Sequence, residues 1–192
     1  MKKIFSILFV SIILFSIPVD AQQEAPSGEE MKAWMEYMTP GEMHKQLQSQ
    51  EGEWNTKIKM WMTPGGEPMV SEGTTINKMI LGGRYMKSTH TAITMGMPME
   101  GLNLTAFDNA KKEFISIWMD NMGTGVMVAS GPFDEATKTI TLTGKMVDPI
   151  TGKDLPVKEV IKPIDEKHQI FELYMEHDGK EFKSMEIEYI RK

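Results

Sequence analysis

The chain has 192 residues, 41% of them apolar, with 21 basic and 27 acidic side chains and a formal net charge of −6. An acidic chain without a basic cluster argues against a nucleic-acid or anionic-membrane surface, and the absence of Cys excludes disulfides, thiolate metal sites and Cys nucleophiles. Methionine is the compositional outlier at 19 residues; its flexible, polarisable side chain recurs at adaptable binding surfaces.

Met1-Lys2-Lys3 is a positive n-region, Ile4–Ile17 an apolar h-region and Val19-Asp20-Ala21 a small-residue cleavage site, the three parts of a secretory signal peptide. The apolar run is shorter than the roughly 20 residues that span a bilayer. Residues 1–21 are therefore expected to be removed on export, leaving a periplasmic or extracellular bacterial protein with no stable membrane anchor. Residues 22–30 are polar and read as a flexible tail, and residues 31–192 as one domain, a helical cap plus a β-barrel.

Met31, Trp34, Met35 and Met38 recur at helical spacing and define one apolar face. Thr39-Pro40-Gly41-Glu42 carries a capping residue, a Pro suited to the first helical position and a Glu that can close a capping box. A second helix is predicted from there to about Gln50, with Met43 and Leu47 as its apolar stripe and His44 in solvent. The two helices are expected to close one end of the barrel, with the Met31–Met38 face as a lid.

From Trp54 onward, strand-like runs recur at the spacing of an all-β barrel or sandwich. The predicted strands are 54–62, 69–80, 84–94, 102–107, 114–120, 126–133, 139–147, 155–162, 168–176 and 181–191, with residues 95–99 read as a loop or irregular strand end. Gly131-Pro132 marks a bulge or an edge, and Asp178-Gly179 a tight hairpin. Ile140, Leu142 and Met146 share one face, as do Met185, Ile187 and Tyr189. About ten antiparallel strands joined by hairpins predict a single up-and-down barrel, because closure removes the exposed edges.

Gly52-Glu53-Trp54 opens the first strand and Arg191 closes the last. This resembles the Gly-x-Trp pattern of calycin (lipocalin-like) barrels, where a basic residue of the last strand packs over the Trp; Trp54 and Arg191 are then structural. Further segments are Pro40 to Lys45, Leu81-Gly82-Gly83-Arg84-Tyr85, Gly101 to Asn109, Ile117 to Asp120, Asp148 to Gly152 and Glu186 to Arg191. Through them the chain is similar, over about residues 31–191, to bacterial exported proteins of the domain of unknown function 1579 family. That resemblance implies a calycin-like barrel and no established activity.

No metalloprotease, nucleophile-elbow, phosphate-loop or dinucleotide motif is present, so no catalytic residue is assigned. His168 and His177 flank turns and are expected in solvent. His90 is mid-strand on the parity of Met86 and Ser88, where it can face a cavity. Acidic residues in or at strands (Glu72, Asp120, Glu159, Glu172) would do acid–base work only if two converged, and are otherwise read as a solvated face.

The leading reading is an exported barrel binding a small apolar or amphipathic molecule, with Met60, Met62, Met86, His90, Trp118, Met146 and Met185 as the ligand-facing set. A second reading is a Cu(I) site built from the alternating thioethers of Met95, Met97 and Met99 with His90, because soft sulfur ligands select that ion. Haem on His90 or His168 is a narrower variant, and an enzyme with its site in the barrel a third.

Overall fold

The computed structural model describes residues 27–192; the predicted signal peptide and the first part of the predicted tail lie outside the described residues. The elements run α1 (Gly28–Met38), α2 (Glu42–Gln48), β1 (Gly52–Met60), β2 (Met69–Ile80), β3 (Tyr85–Thr94), β4 (Met97–Asp108), β5 (Glu113–Asp120), β6 (Met127–Gly131), β7 (Phe133–Asp134), β8 (Thr139–Val147), β9 (Asp154–Asp165), β10 (His168–His177) and β11 (Lys180–Arg191). All strand pairs are antiparallel neighbours in sequence except two. β1 pairs with β11, and β6 pairs with β8 through Ala129↔Gly144. Those two pairings close ten strands into a barrel, and the two-residue β7 is an extra strand on β8.

The β6–β8 seam depends on glycine. A Cβ at Gly131 would overlap the Thr141 carbonyl oxygen, and one at Gly144 the Val128 carbonyl oxygen. Both positions therefore allow a closer backbone approach than any side chain permits. Pro132, which has no N–H to donate, separates β6 from β7.

The predicted strands are all present, and two boundaries moved for local reasons. Met95-Gly96 is a two-residue hairpin turn with both φ positive (50° and 77°), so β4 begins at Met97 and residues 97–99 are strand. β1 ends at Met60, so the alternation does not reach Met62, which is 64% exposed in the following loop.

At the N-terminus, Ser27 and Glu30 form a reciprocal capping box, Ser27 Oγ accepting from Glu30 N (3.2 Å) and Glu30 Oε2 from Ser27 N (2.6 Å). The first helix therefore starts at Gly28, and residues 28–30 are helical rather than tail. Its apolar face is not a lid: Met31, Trp34, Met35 and Met38 are all exposed. Only the end of α1 is tied down. Arg84 Nη2 donates to Met38 O (2.6 Å), and Asn109 Nδ2 to Thr39 O (2.8 Å) and Glu36 O (3.1 Å).

The plug is α2. Leu47 is buried with Met86, Phe114, Ala129, Ile140 and Leu142, and Met43, Met79, Phe107, Phe133 and Ile161 pack round this cluster. His44, expected in solvent, is 6% exposed. It lies three residues before Leu47 and so shares the face that seals the barrel. Its Nδ1 accepts from Gly41 N (3.0 Å), its ring meets Phe107 edge-on, and burial holds its pKa below the ordinary histidine value. Among the described residues no helix is long and apolar enough to cross a membrane.

Candidate functional site

The hairpin register divides the barrel lengthwise. Strand ends at Gly52, Ile80, Tyr85 and Arg191 lie at the plugged end, and those at Met60, Met69, Thr94 and Met97 at the other. Following inward parity from the buried positions, the unplugged end carries Met60, Met99, Met127, Met146, Met175 and Met185, all partly buried. Thioethers on every side make an apolar mouth that can repack round different shapes. Between mouth and floor the interior turns polar.

One wall of this polar belt comes from β2–β5. Thr105 Oγ1 donates to Asn103 Oδ1 (2.7 Å), whose Nδ2 donates to Ser116 Oγ (2.9 Å). His90 Nδ1 lies 2.9 Å from Thr75 Oγ1, while its Nε2 is buried without a partner. Burial alone pushes the His90 pKa down to about 4, so the ring is neutral at physiological pH. Trp118 donates from Nε1 to Asp120 Oδ2 (2.7 Å), and its ring stands 5.0 Å from that of His90 at 65°.

The tilt of Trp118 has a sequence cause. Gly101 is the register partner of both His90 and Asp120, and a Cβ there would overlap the indole. The missing side chain is the space into which Trp118 leans. Gly101→Ala is expected to shift Trp118 and to lower stability by about 1–3 kcal/mol, the usual cost of overpacking. Denaturant midpoints and indole emission measure this, and a variant matching the parent in both would show that the indole has room elsewhere.

The opposite wall is β9–β11, and its central residue is Glu159. In the closed strand order β9 lies five strands from β3. Glu159 pairs in register with Leu142 and Leu173, is flanked on its own face by Val157 and Ile161, and is 2% exposed. Burial pushes its pKa up to about 7, opposed only by the Ser116 hydroxyl. It takes part in no ion pair among the described residues. Tyr189 faces it: burial first, and then the Glu159 charge, raise the phenol pKa. Tyr189, Phe171, Leu173, Met185 and Ile187 on this wall, and Asn103, Thr105 and Trp118 on the other, are only partly buried although they point into the barrel.

The sequence-derived residues are thus distributed unevenly. His90 and Trp118 are together in the belt. Met60, Met146 and Met185 are at the mouth, Met86 is in the sealed floor, and Met62 is outside. Met97 and Met99 keep inward parity, whereas Met95 occupies the turn before them. Among the described residues no three His, Asp or Glu side chains gather as a metal site. Trp54 and Arg191 are register partners with the guanidinium carbon 4.3 Å from the ring centroid. Glu159 and Tyr189 complete the belt and escaped the ligand-facing set, although Val157-x-Glu159-x-Ile161 puts the acid on an apolar parity.

Two open depressions of about 580 and 550 Å³ lie on the outside, one beside α2 and one across β2–β4. Both are walled mostly by exposed side chains, and neither includes an unpartnered buried polar atom, so the interior is the stronger candidate.

No match was found among curated proteins. Among solved structures the chain is similar to Rv2717c from M. tuberculosis at a TM-score of 0.59 and 13% sequence identity, over 80% of this chain and 99% of that one. That likeness concerns the fold. The sequence profile described as "Protein of unknown function (DUF1579)" matches residues 39–191, from the Thr39 that Asn109 holds to the Arg191 that covers Trp54, and the chain belongs to the DUF1579 family.

Proposed function

We propose that this protein is an exported carrier that holds a small amphipathic molecule inside the barrel. The observation that carries the reading is a buried ring nitrogen without a partner, His90 Nε2, and on the opposite wall a buried carboxyl without an ion pair, Glu159, whose one side-chain hydrogen bond is to Ser116, in an interior whose central side chains are incompletely covered. A buried polar group without a partner costs about 1–3 kcal/mol, and native interiors rarely keep one. A guest that hydrogen-bonds them removes that cost. The apolar methionine mouth would suit the guest's hydrocarbon part, and the signal-like residues 1–21 support a role outside the cytoplasm.

Titration with the neutral apolar fluorophore N-phenyl-1-naphthylamine tests the reading. The wild type is expected to bind one equivalent with enhanced emission. Leu173→Trp, which adds bulk beside Glu159, should weaken this at least tenfold, and Thr89→Trp on the exposed outer face should not. Absence of saturable binding, or equal loss in both variants, would remove the interior site.

A further inference from the structure

Charge is distributed very unevenly over the inward face. In the body of the barrel, the described inward positions carry three charged residue types: Glu159 in the belt, Asp120 toward the mouth and Arg191 at the plugged end. The one base is fully engaged. Arg191 lies over Trp54 and donates to the carbonyls of Glu51 (2.5 Å), Ser49 (2.6 Å) and Glu166 (3.0 Å). Asp120 accepts from Trp118 Nε1 and from Met122 N (2.9 Å), hydrogen bonds that leave its charge uncancelled. Among the described residues, the body of the barrel interior is therefore acidic and has no free cation, Lys180 at the rim of the unplugged end lying outside it.

The outer face of the same strands shows the alternative treatment of a covered carboxylate. Glu172 is 7% exposed, yet Lys162 (2.6 Å), Lys183 (3.3 Å) and the Tyr174 hydroxyl (3.0 Å) donate to it. Burial works to raise its pKa, and these donors outweigh burial and hold it below the usual carboxylate range. Lys183 also bridges to Glu186, which Lys59 meets at 2.9 Å. Glu159 is more deeply buried and has no such lysine. Its neighbours are the hydroxyls of Ser116 and Tyr189, with the Trp118 ring toward the mouth.

From this contrast we infer that the interior selects a cationic guest, a primary or secondary amine on an apolar chain, whose ammonium group takes the place of the missing lysine at Glu159. The inference rests on the interior-binding reading above. An ammonium carries a full charge and two or three N–H donors, and the belt offers it a carboxylate and hydroxyl oxygens to accept them. The electron-rich faces of Trp118 and Tyr189 attract the same charge. A carboxylate or phosphate head would meet Glu159 and Asp120 with the wrong sign and find no base to pair with.

Displacement of N-phenyl-1-naphthylamine by octylamine, octan-1-ol and octanoate isolates the head group at constant chain length. At pH 8 the amine is protonated and Glu159, facing Tyr189 from β11 with neutral His90 on the opposite wall and Asp120 nearer the mouth, is largely ionised. Octylamine is expected to displace the probe at a concentration at least tenfold lower than octan-1-ol, with octanoate weakest. Glu159→Gln should abolish the advantage of the amine over the alcohol, with circular dichroism showing that the variant is folded. An amine no better than the alcohol, or a preference that survives Glu159→Gln, overturns the inference while probe binding keeps the interior site. Failure of the probe itself to bind removes both.

Discussion

Glu159→Gln is expected to stabilise the apo protein at pH 8, by an amount on the order of 3 kcal/mol, and to lose that advantage on acidification. The folded carboxyl has a pKa of about 7 against an ordinary 4.5, and each unit is worth about 1.4 kcal/mol. Because the folded value is raised, the folded state holds its proton more tightly than the unfolded chain. That contribution to stability is fully present below pH 4.5 and is lost as pH rises through 7. At pH 8 the wild type therefore carries a buried, unpaired carboxylate that the amide does not create.

His90 works in the opposite direction. Its folded pKa of about 4 lies below the ordinary 6.5, so its contribution is full above pH 6.5 and falls away as pH drops towards 4. Between about pH 4.5 and 6.5 the two effects nearly cancel, and the wild type should show little change from this pair. Removing Glu159 exposes the His90 term, so Glu159→Gln should lose stability steadily from pH 6.5 to 4. His90→Gln should gain it from pH 7 to 4.5. Paired carboxylates such as Glu172 and Glu186 titrate alike in all three proteins and drop out of the differences. Denaturant unfolding at pH 4.5, 6 and 8 measures the effect. A Glu159→Gln variant less stable than wild type at pH 8 would mean that the carboxylate has a cationic partner in the folded protein.

The barrel was legible because its determinants are local. Alternation such as Ile140-x-Leu142-x-x-x-Met146 assigns faces, and turns such as Leu81-Gly82-Gly83 and Asp178-Gly179 place left-handed backbone on glycine and on the residue before it. The misreadings came where a residue took a conformation or an environment that its type resists. Met95 adopts φ 50° in a turn that its side chain does not advertise, and β4 therefore starts at Met97, earlier than the 102–107 that the sequence predicts. His44 is polar but helps seal the floor, because helix geometry places it beside Leu47. The exposed face of α1 shows the converse: apolar periodicity predicts a helix, not what covers it.

The candidate site was half legible for a related reason. His90 and Trp118 could be placed by parity, but their juxtaposition needed Gly101, whose role is the absence of a side chain. Glu159 was visible on an apolar parity between Val157 and Ile161. Composition argued that a charged residue on a strand faces water, and only closure of β6 onto β8 shows that this face has no water side. A long-range pairing decided the environment of the residue on which the function now turns.

Trp54→Ala is expected to destabilise the protein by about 3–5 kcal/mol, the range for emptying a fully packed aromatic site. Trp54 is 1% exposed, its Nε1 donates to Gln50 O (3.1 Å), and the Arg191 guanidinium covers its outer face. The pair does more than fill space. β1 and β11 are the first and last strands, and their pairing starts at Trp54↔Arg191. Arg191 then ties this junction to the helix–strand connection through Ser49 and Glu51, and to the β9–β10 turn through Glu166. Arg191→Ala should cost less, about 1–3 kcal/mol, because two of the three hydrogen bonds it loses are exposed enough for water to replace the guanidinium. Arg191→Lys should recover little of that loss, since a single ammonium cannot hold carbonyls from three segments and stack on an indole together. The double variant should be less destabilised than the sum of the singles by about 0.5–2 kcal/mol, the cation–π coupling. Urea midpoints at constant m-value measure all four proteins. A Trp54→Ala cost below 1 kcal/mol would show that barrel closure rests on the β6–β8 seam alone.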